Sequence, residues 1–121
     1  MTQEHYQLMT ILKNLVGNAV EAIESTKKSG MIWIREYKKD GNYVFEVADD
    51  GPGISEKDLP NIFDRFFRAD ASRNSAKRGS GLGLAIVKKI ILDHGGNIWA
   101  KSTPGTGTSI YFTLKVKDDT R

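Results

Sequence analysis

From Tyr6 to Ser25 apolar residues recur at three- and four-residue steps. Leu8, Leu12, Leu15, Ala19 and Ile23 fall on one side of a helical repeat, which predicts an amphipathic helix. Lys27-Lys28-Ser29-Gly30 ends it. The period then changes to two. Ile32 to Tyr37 alternates as a strand does, Asp40-Gly41 supplies a hairpin turn, and Tyr43, Phe45 and Val47 share one face of the returning strand. After a glycine-rich stretch, the run from Ser55 to Phe67 predicts a short helix or two helical turns, with Ser55 as N-cap and Asp58 three residues on. Residues 68–81 have almost no apolar content and predict a mobile loop. Leu84, Val87 and Ile91 mark a second amphipathic helix, stopped by His94-Gly95-Gly96. Ile98 to Lys101 reads as a strand and Thr103 to Gly107 as a turn. Ile110, Phe112, Leu114 and Val116 mark one face of a last strand. Strands in neighbouring hairpin-like pairs predict a mixed, largely antiparallel sheet with the helices on one face, an α+β two-layer sandwich.

Composition narrows the reading without deciding it. A chain of 121 residues is expected to form a single domain with one core. A net charge of +3 is too mild to imply nucleic acid. The absence of cysteine excludes disulfides and thiolate metal sites, which suits a cytoplasmic setting. No apolar run is long enough to span a membrane, so no direct membrane insertion is expected. The first ten residues lack the layout of a signal peptide.

Three polar features stand against this ordinary background. Asn14 and Asn18 lie four apart on the first helix, although asparagine is a poor helix-interior residue. They fit a solvated surface, or a neutral oxygen offered to a hard cation such as Mg²⁺, which prefers oxygen and shares phosphate ligands. Asp49-Asp50 ends a strand and runs into Gly51-Pro52-Gly53. These are common turn formers, yet glycines after a strand-end carboxylate also leave open backbone over which a flat ligand can lie. Gly79, Gly81 and Gly83 lead into the second helix, whose N–H groups attract anions. Leu84 stands where a dinucleotide fingerprint needs its last glycine, and no Gly-Lys-Ser/Thr follows as in a P-loop. A phosphate held here is held in another fold.

Taken in order, these stretches resemble the boxes of the histidine-kinase ATP-binding domain, the Bergerat fold shared with DNA gyrase, Hsp90 and MutL. Asn14 to Ala22 resembles the N box, Asp49 to Ile54 the G1 box, and Ile62 to Asp70, with Phe63 and Phe66, the F box. Gly79 to Ile90 resembles the G2 box, and His94 to Leu114 the closing strands. The resemblance implies that Asp49 accepts a hydrogen bond from the adenine amine of ATP, while Gly51 and Gly53 let the backbone approach base and sugar. It makes Asn18 the Mg²⁺ ligand, and Asn14 the residue that orients phosphate or water. Gly79, Gly81 and Gly83 hold the phosphates and hinge a lid over residues 55–80. Ile54, Phe63, Ser80, Leu82, Leu84 and Thr108 join the nucleotide-binding positions. Arg73 and Lys77 are the lid cations set against the phosphates. Asp50 is expected to be a solvated turn residue and His94 a structural one.

In this family the hydrolases carry a Glu four residues before the metal-binding Asn. Asn14 stands there, and an amide cannot take a proton from water, which favours phosphoryl transfer to a protein histidine. Two rivals are a serine kinase of the anti-sigma-factor type and a nucleotide-sensing module without catalysis. The sequence departs from the family's pattern in places. Glu21-Ala22 replace the usual basic and aromatic pair, the chain begins almost at the N box without the usual leading strand, and His5 lacks an acceptor motif. The expectation is therefore an excised catalytic domain. Its partners would be the dimerisation and histidine phosphoacceptor domain of a parent kinase and a downstream response regulator.

Overall fold

A computed structural model of the chain describes residues 3–26, 28–64 and 83–115. In chain order the elements are α1 (Gln3–Thr26), β1 (Ile32–Lys39), β2 (Asn42–Asp49), a 3₁₀ turn (Leu59–Asn61), α2 (Gly83–Asp93), β3 (Ile98–Thr103) and β4 (Gly107–Lys115). The strands form one sheet in the order β1-β2-β4-β3, and every described pairing is antiparallel. The two helices pack on one face. No helix among the described residues is long and apolar enough to cross a membrane.

Local chemistry explains the joints. Between β1 and β2, Asp40 and Gly41 both take positive φ (54° and 83°). That is the geometry a two-residue hairpin needs, and it pairs Lys39 with Asn42. At the end of α2, Gly95 (φ 80°) donates its N–H to the Leu92 carbonyl at 3.0 Å and Gly96 donates to Ile91 at 2.9 Å. This pair of bonds closes the helix with a left-handed glycine. Gly96 also has no room for a Cβ, which would collide with the Thr113 carbonyl oxygen.

Between sheet and helices lies the core. Alternate residues of a strand face the same way, so the register arranges it in rows across β2, β4 and β3. Phe45, Phe112 and Ile98 form one row, and Val47, Ile110 and Ala100 the next. Phe45 and Phe112 stack at 4.8 Å between centroids. Onto these rows α1 sets Ile11 and Leu15, and α2 sets Val87 and Ile91. One further step along the strands, the row reads Asp49, Thr108, Ser102. The core therefore ends in a polar row on the helix side of the sheet.

The segment after the glycine loop forms the expected helical turns, a first closed by the Asp58 and Leu59 N–H groups on the Ser55 carbonyl and then the 3₁₀ turn, while residues 65–67 of that run lie outside the described residues. The Ser55 hydroxyl also accepts the Asp58 N–H at 3.2 Å. One element differs from the sequence expectation. β3 runs two residues further than its apolar pattern, to Thr103, and so carries Ser102 into the last row. Val116 lies outside the described residues.

The core assignment predicts a contrast between neighbours. Ile91 is fully buried and Leu92 is 48% exposed. Ile91→Ala should cost about 2–5 kcal/mol of unfolding free energy in urea, whereas Leu92→Ala should stay within about 1 kcal/mol. Equal losses would contradict the packing of α2.

Candidate functional site

The polar row sits where β2 gives way to the glycine loop. The Asp49 carboxylate accepts the backbone N–H of Gly51 at 2.8 Å, and the Thr108 backbone amide lies on its other side and favours its charged form. Burial pushes the Asp49 carboxyl above its ordinary value. The two amides offset part of that rise, and the charge of Asp50 adds to it. An acceptor is thus held by the backbone at a half-buried position.

The loop beyond Asp49 is fastened to the turn between β3 and β4. Gly105 N–H donates to the Pro52 carbonyl at 2.7 Å, and Ile54 N–H donates to Ser102 Oγ at 2.7 Å. The Ser102 hydroxyl donates in turn to the Gly107 carbonyl at 2.9 Å and lies 2.9 Å from Thr108 Oγ1. Glycine is required at 53 on two counts: its φ is +79°, and a Cβ would collide with the Thr103 carbonyl oxygen. At Gly51 a Cβ would come within 3.3 Å of Ala22, so α1 presses directly on the loop.

Asn14, Asn18 and Ala22 form an i, i+4, i+8 stripe along α1. Ala22 touches the Gly51 end. Asn14 turns its Nδ2 back to the Thr10 carbonyl at 2.9 Å. Its Oδ1 lies 3.8 Å from where a Cβ at Gly83 would stand, beside the start of α2. The stripe thus links the carboxylate loop to the α2 N-terminus over about 12 Å. That N-terminus has no acidic residue in its first turn, and the dipole of a helix N-terminus favours an anion. Midway, the Asn18 amide nitrogen is buried without a hydrogen-bond partner among the described residues. A buried polar group left unpaired is costly, so the amide is free to turn its oxygen towards a ligand. It suits a cation that takes one neutral oxygen from protein and the rest from phosphate. Among the described residues no group of three or more His, Asp or Glu side chains could hold a metal unaided.

Of the site residues expected from sequence, Asp49, Gly51, Gly53, Ile54 and Thr108 come together at one end of the stripe. Asn14, Gly83 and Leu84 lie at the other, with Asn18 between. Phe63 stands elsewhere, in an apolar groove with Leu59, Pro60, Ile98 and Ala100, with Lys88 Nζ 6.0 Å above its ring. Arg73, Lys77, Gly79, Ser80, Gly81 and Leu82, and residues 65–80 of the expected lid, lie outside the described residues. Asp50 is exposed, as expected, but it is more than a solvated turn residue. Its carboxylate accepts Met31 N–H at 2.8 Å, and its own N–H donates to the Met31 carbonyl at 3.3 Å, clamping the start of β1. His94 accords with a structural role, donating from Nδ1 to the Ile90 carbonyl at 2.9 Å. Ser102 was missed. Continuing the alternation of Ile98 and Ala100 by one more step would have found it.

On the opposite face of the sheet, Trp33, Glu46, Ala48, Lys101 and Ser109 line an open groove of about 420 Å³, which reaches the strand ends at Asp49, Ser102 and Thr108. Within it Glu46 is buried and paired with Arg35 at 2.9 Å. Burial opposes the Glu46 charge, but hydrogen bonds from Arg35, Ser109 and Tyr111 and the charge of Arg35 outweigh it, so the carboxyl stays below its ordinary value. With its acceptors used within the face, Glu46 is a structural ion pair.

Comparison with known proteins identifies the family and the fold. Residues 4–118 match the family described as histidine kinase-, DNA gyrase B-, and HSP90-like ATPase. The sensor histidine kinase WalK of Bacillus subtilis is 40% identical over 114 residues, covering 93% of this chain and 18% of WalK. The sensor-like histidine kinase SenX3 of Mycolicibacterium smegmatis is 41% identical over 111 residues, covering 92% of this chain and 28% of SenX3. The chain thus spans less than a third of these relatives. Among solved structures, the mycobacterial sensor histidine kinase MprB superposes with a TM-score of 0.76 at 32% identity, covering 91% of this chain and 72% of that one. Full-length ShkA in complex with AMPPNP gives 0.74 at 30%, covering 93% and 22%.

The burial of Asp49 has a measurable consequence. Its pKa is raised in the folded chain, so the folded state holds this proton more tightly than the unfolded state does. The group's contribution to stability is full below the ordinary 3.8 and is lost as pH rises through the folded value. Carboxyl-carbon NMR of the nucleotide-free chain should show Asp49 titrating above 3.8. A midpoint at or below that value would contradict the half-buried acceptor.

Proposed function

The chain belongs to the histidine kinase-, DNA gyrase B-, and HSP90-like ATPase family, and we propose that it binds Mg-ATP and donates the γ-phosphate to a histidine on a separate phosphoacceptor domain. Its curated relatives are sensor histidine kinases, so the family-level reading is a histidine kinase-type ATPase catalytic domain. The observation that carries the finer reading is the half-buried Asp49 carboxylate, which accepts the Gly51 N–H at the foot of a loop that turns at Gly53. A carboxylate can only accept. Adenine offers an amine there and guanine a carbonyl, so the base that fits is adenine.

From that anchor the stripe on α1 leads to the α2 N-terminus, a favourable place for the phosphates. Asn18 is the residue that would hold Mg²⁺, which when bound neutralises phosphate charge and shares its oxygens. Asn14 stands where a hydrolase of this family has its general base. Its amide is tied to Thr10 and has no basic lone pair to take a proton, so water is poorly activated. Transfer is then left to an acceptor that brings its own nucleophile. The bond between the γ-phosphorus and the bridging oxygen breaks, a P–N bond forms to imidazole, and ADP leaves. Such transfer depends mainly on positioning and charge stabilisation. The partner is the dimerisation and phosphoacceptor domain of a parent kinase, with a response regulator downstream.

At 100 times the dissociation constant Mg-ATP should add about 2.7 kcal/mol of stability, a melting shift on the order of 10 °C for this size. Asp49→Ala should abolish the shift. Asp50→Ala should keep it while lowering the melting temperature of the free chain, since the Met31 clamp is lost. A wild-type chain with no shift would refute nucleotide binding.

The transfer step has its own test. With γ-labelled ATP the chain alone should stay unlabelled, and the parent's acceptor domain should gain acid-labile, base-stable phosphate when the two are mixed. Acid-stable phosphate on a partner serine would instead support the serine-kinase rival.

A further inference from the structure

Ser102 Oγ meets three polar groups, and its single proton settles how they are ordered. Ile54 N–H can only donate, so at 2.7 Å it occupies one Ser102 lone pair. The Gly107 carbonyl can only accept, so at 2.9 Å it takes the Ser102 proton. The third contact, to Thr108 Oγ1 at 2.9 Å, admits either direction on distance alone. With the Ser102 proton already committed to Gly107, the bond must run from Thr108 to the second Ser102 lone pair. The Thr108 proton is therefore held inward, and its oxygen keeps only lone pairs for other partners.

Thr108 is the cross-strand neighbour of Asp49, and the two side chains share the helix face of the sheet. Asp49 is itself an acceptor. We infer that Ser102 is a specificity-determining positioning residue: by holding the Thr108 proton it makes Asp49 and Thr108 a pair of acceptors that favours an exocyclic amine and rejects a ring carbonyl. This inference rests on the nucleotide reading above and deepens it. Asp49 alone supplies one acceptor, whereas the row supplies two, and the second is an acceptor only because of Ser102. Without Ser102, the Thr108 hydroxyl turns outward and can donate to a carbonyl. The same serine holds Ile54 N–H, so it ties the base-facing loop to the residue that sets the polarity of the row.

The test uses ITP, which carries a carbonyl where ATP carries the amine. Calorimetry would give the ratio of Mg-ITP to Mg-ATP dissociation constants for wild type, Ser102→Ala, Ser102→Thr, Thr108→Val and the Ser102→Ala/Thr108→Val pair. Wild type should favour ATP. Ser102→Ala and Thr108→Val should each reduce the ratio by about tenfold, Ser102→Thr should retain it, and the double variant should go no further than Thr108→Val alone. A merely structural serine would weaken both nucleotides equally and leave the ratio unchanged, which would overturn the inference. If Ser102→Ala does not fold, an unchanged ratio in Thr108→Val overturns it equally. A wild type that binds neither nucleotide refutes the nucleotide reading and this inference with it. One that binds ATP but keeps its ratio through every variant refutes this inference alone.

Discussion

The antiparallel register of β2, β4 and β3 fixes both the core and the site. It aligns Phe45 with Phe112 and Ile98, then Val47 with Ile110 and Ala100, then Asp49 with Thr108 and Ser102. The first two rows are held by burial against Ile11, Leu15, Val87 and Ile91. The third is held by its hydrogen bonds. Slipping one strand by a single residue would turn its whole set of side chains to the other face. Phe112 would then leave the core, and Thr108 would leave Asp49. Any selection for a packed core therefore also keeps the polar row aligned, without a separate device.

Stability and recognition pull against each other at the end of that row. Burial makes the Asp49 charge costly, and the amides of Gly51 and Thr108 recover only part of the loss. The Asn18 amide nitrogen is likewise buried without a partner among the described residues. Groups left under-satisfied in this way are common where a ligand completes the set. The surroundings are stiff by comparison. The glycine loop is tethered by the Gly105–Pro52 and Ile54–Ser102 bonds and backed by α1 at Ala22. A rigid frame around incomplete polar groups lowers the ordering cost of binding.

Much of this was legible in the chain itself. The period-two runs gave β1, β2 and β4, the Asp40-Gly41 pair gave their hairpin, and the glycines after Ile91 gave the end of α2. Asp49 was identified from a strand running into a glycine loop, because strand, carboxylate and glycines are adjacent in sequence. Ser102 was not, because its partners Ile54, Gly107 and Thr108 are brought to it by strand pairing, and its hydroxyl says nothing locally about where they lie. The structural part of Asp50 is hidden from local sequence for the same reason. Its bond to Met31 crosses from one strand to another, and no local pattern encodes it.

The central claim is that the nucleotide sits on the helix face of the sheet, against the row that ends in Asp49. The groove on the opposite face, between Trp33 and Lys101, is the alternative it excludes. Amide chemical-shift mapping of the chain with Mg-ADP separates the two faces directly. The account predicts the largest shifts at Asn18, Gly51, Gly53, Ile54 and Thr108, with Trp33, Lys101 and Ser109 little changed. Large shifts confined to Trp33, Lys101 and Ser109 would contradict it.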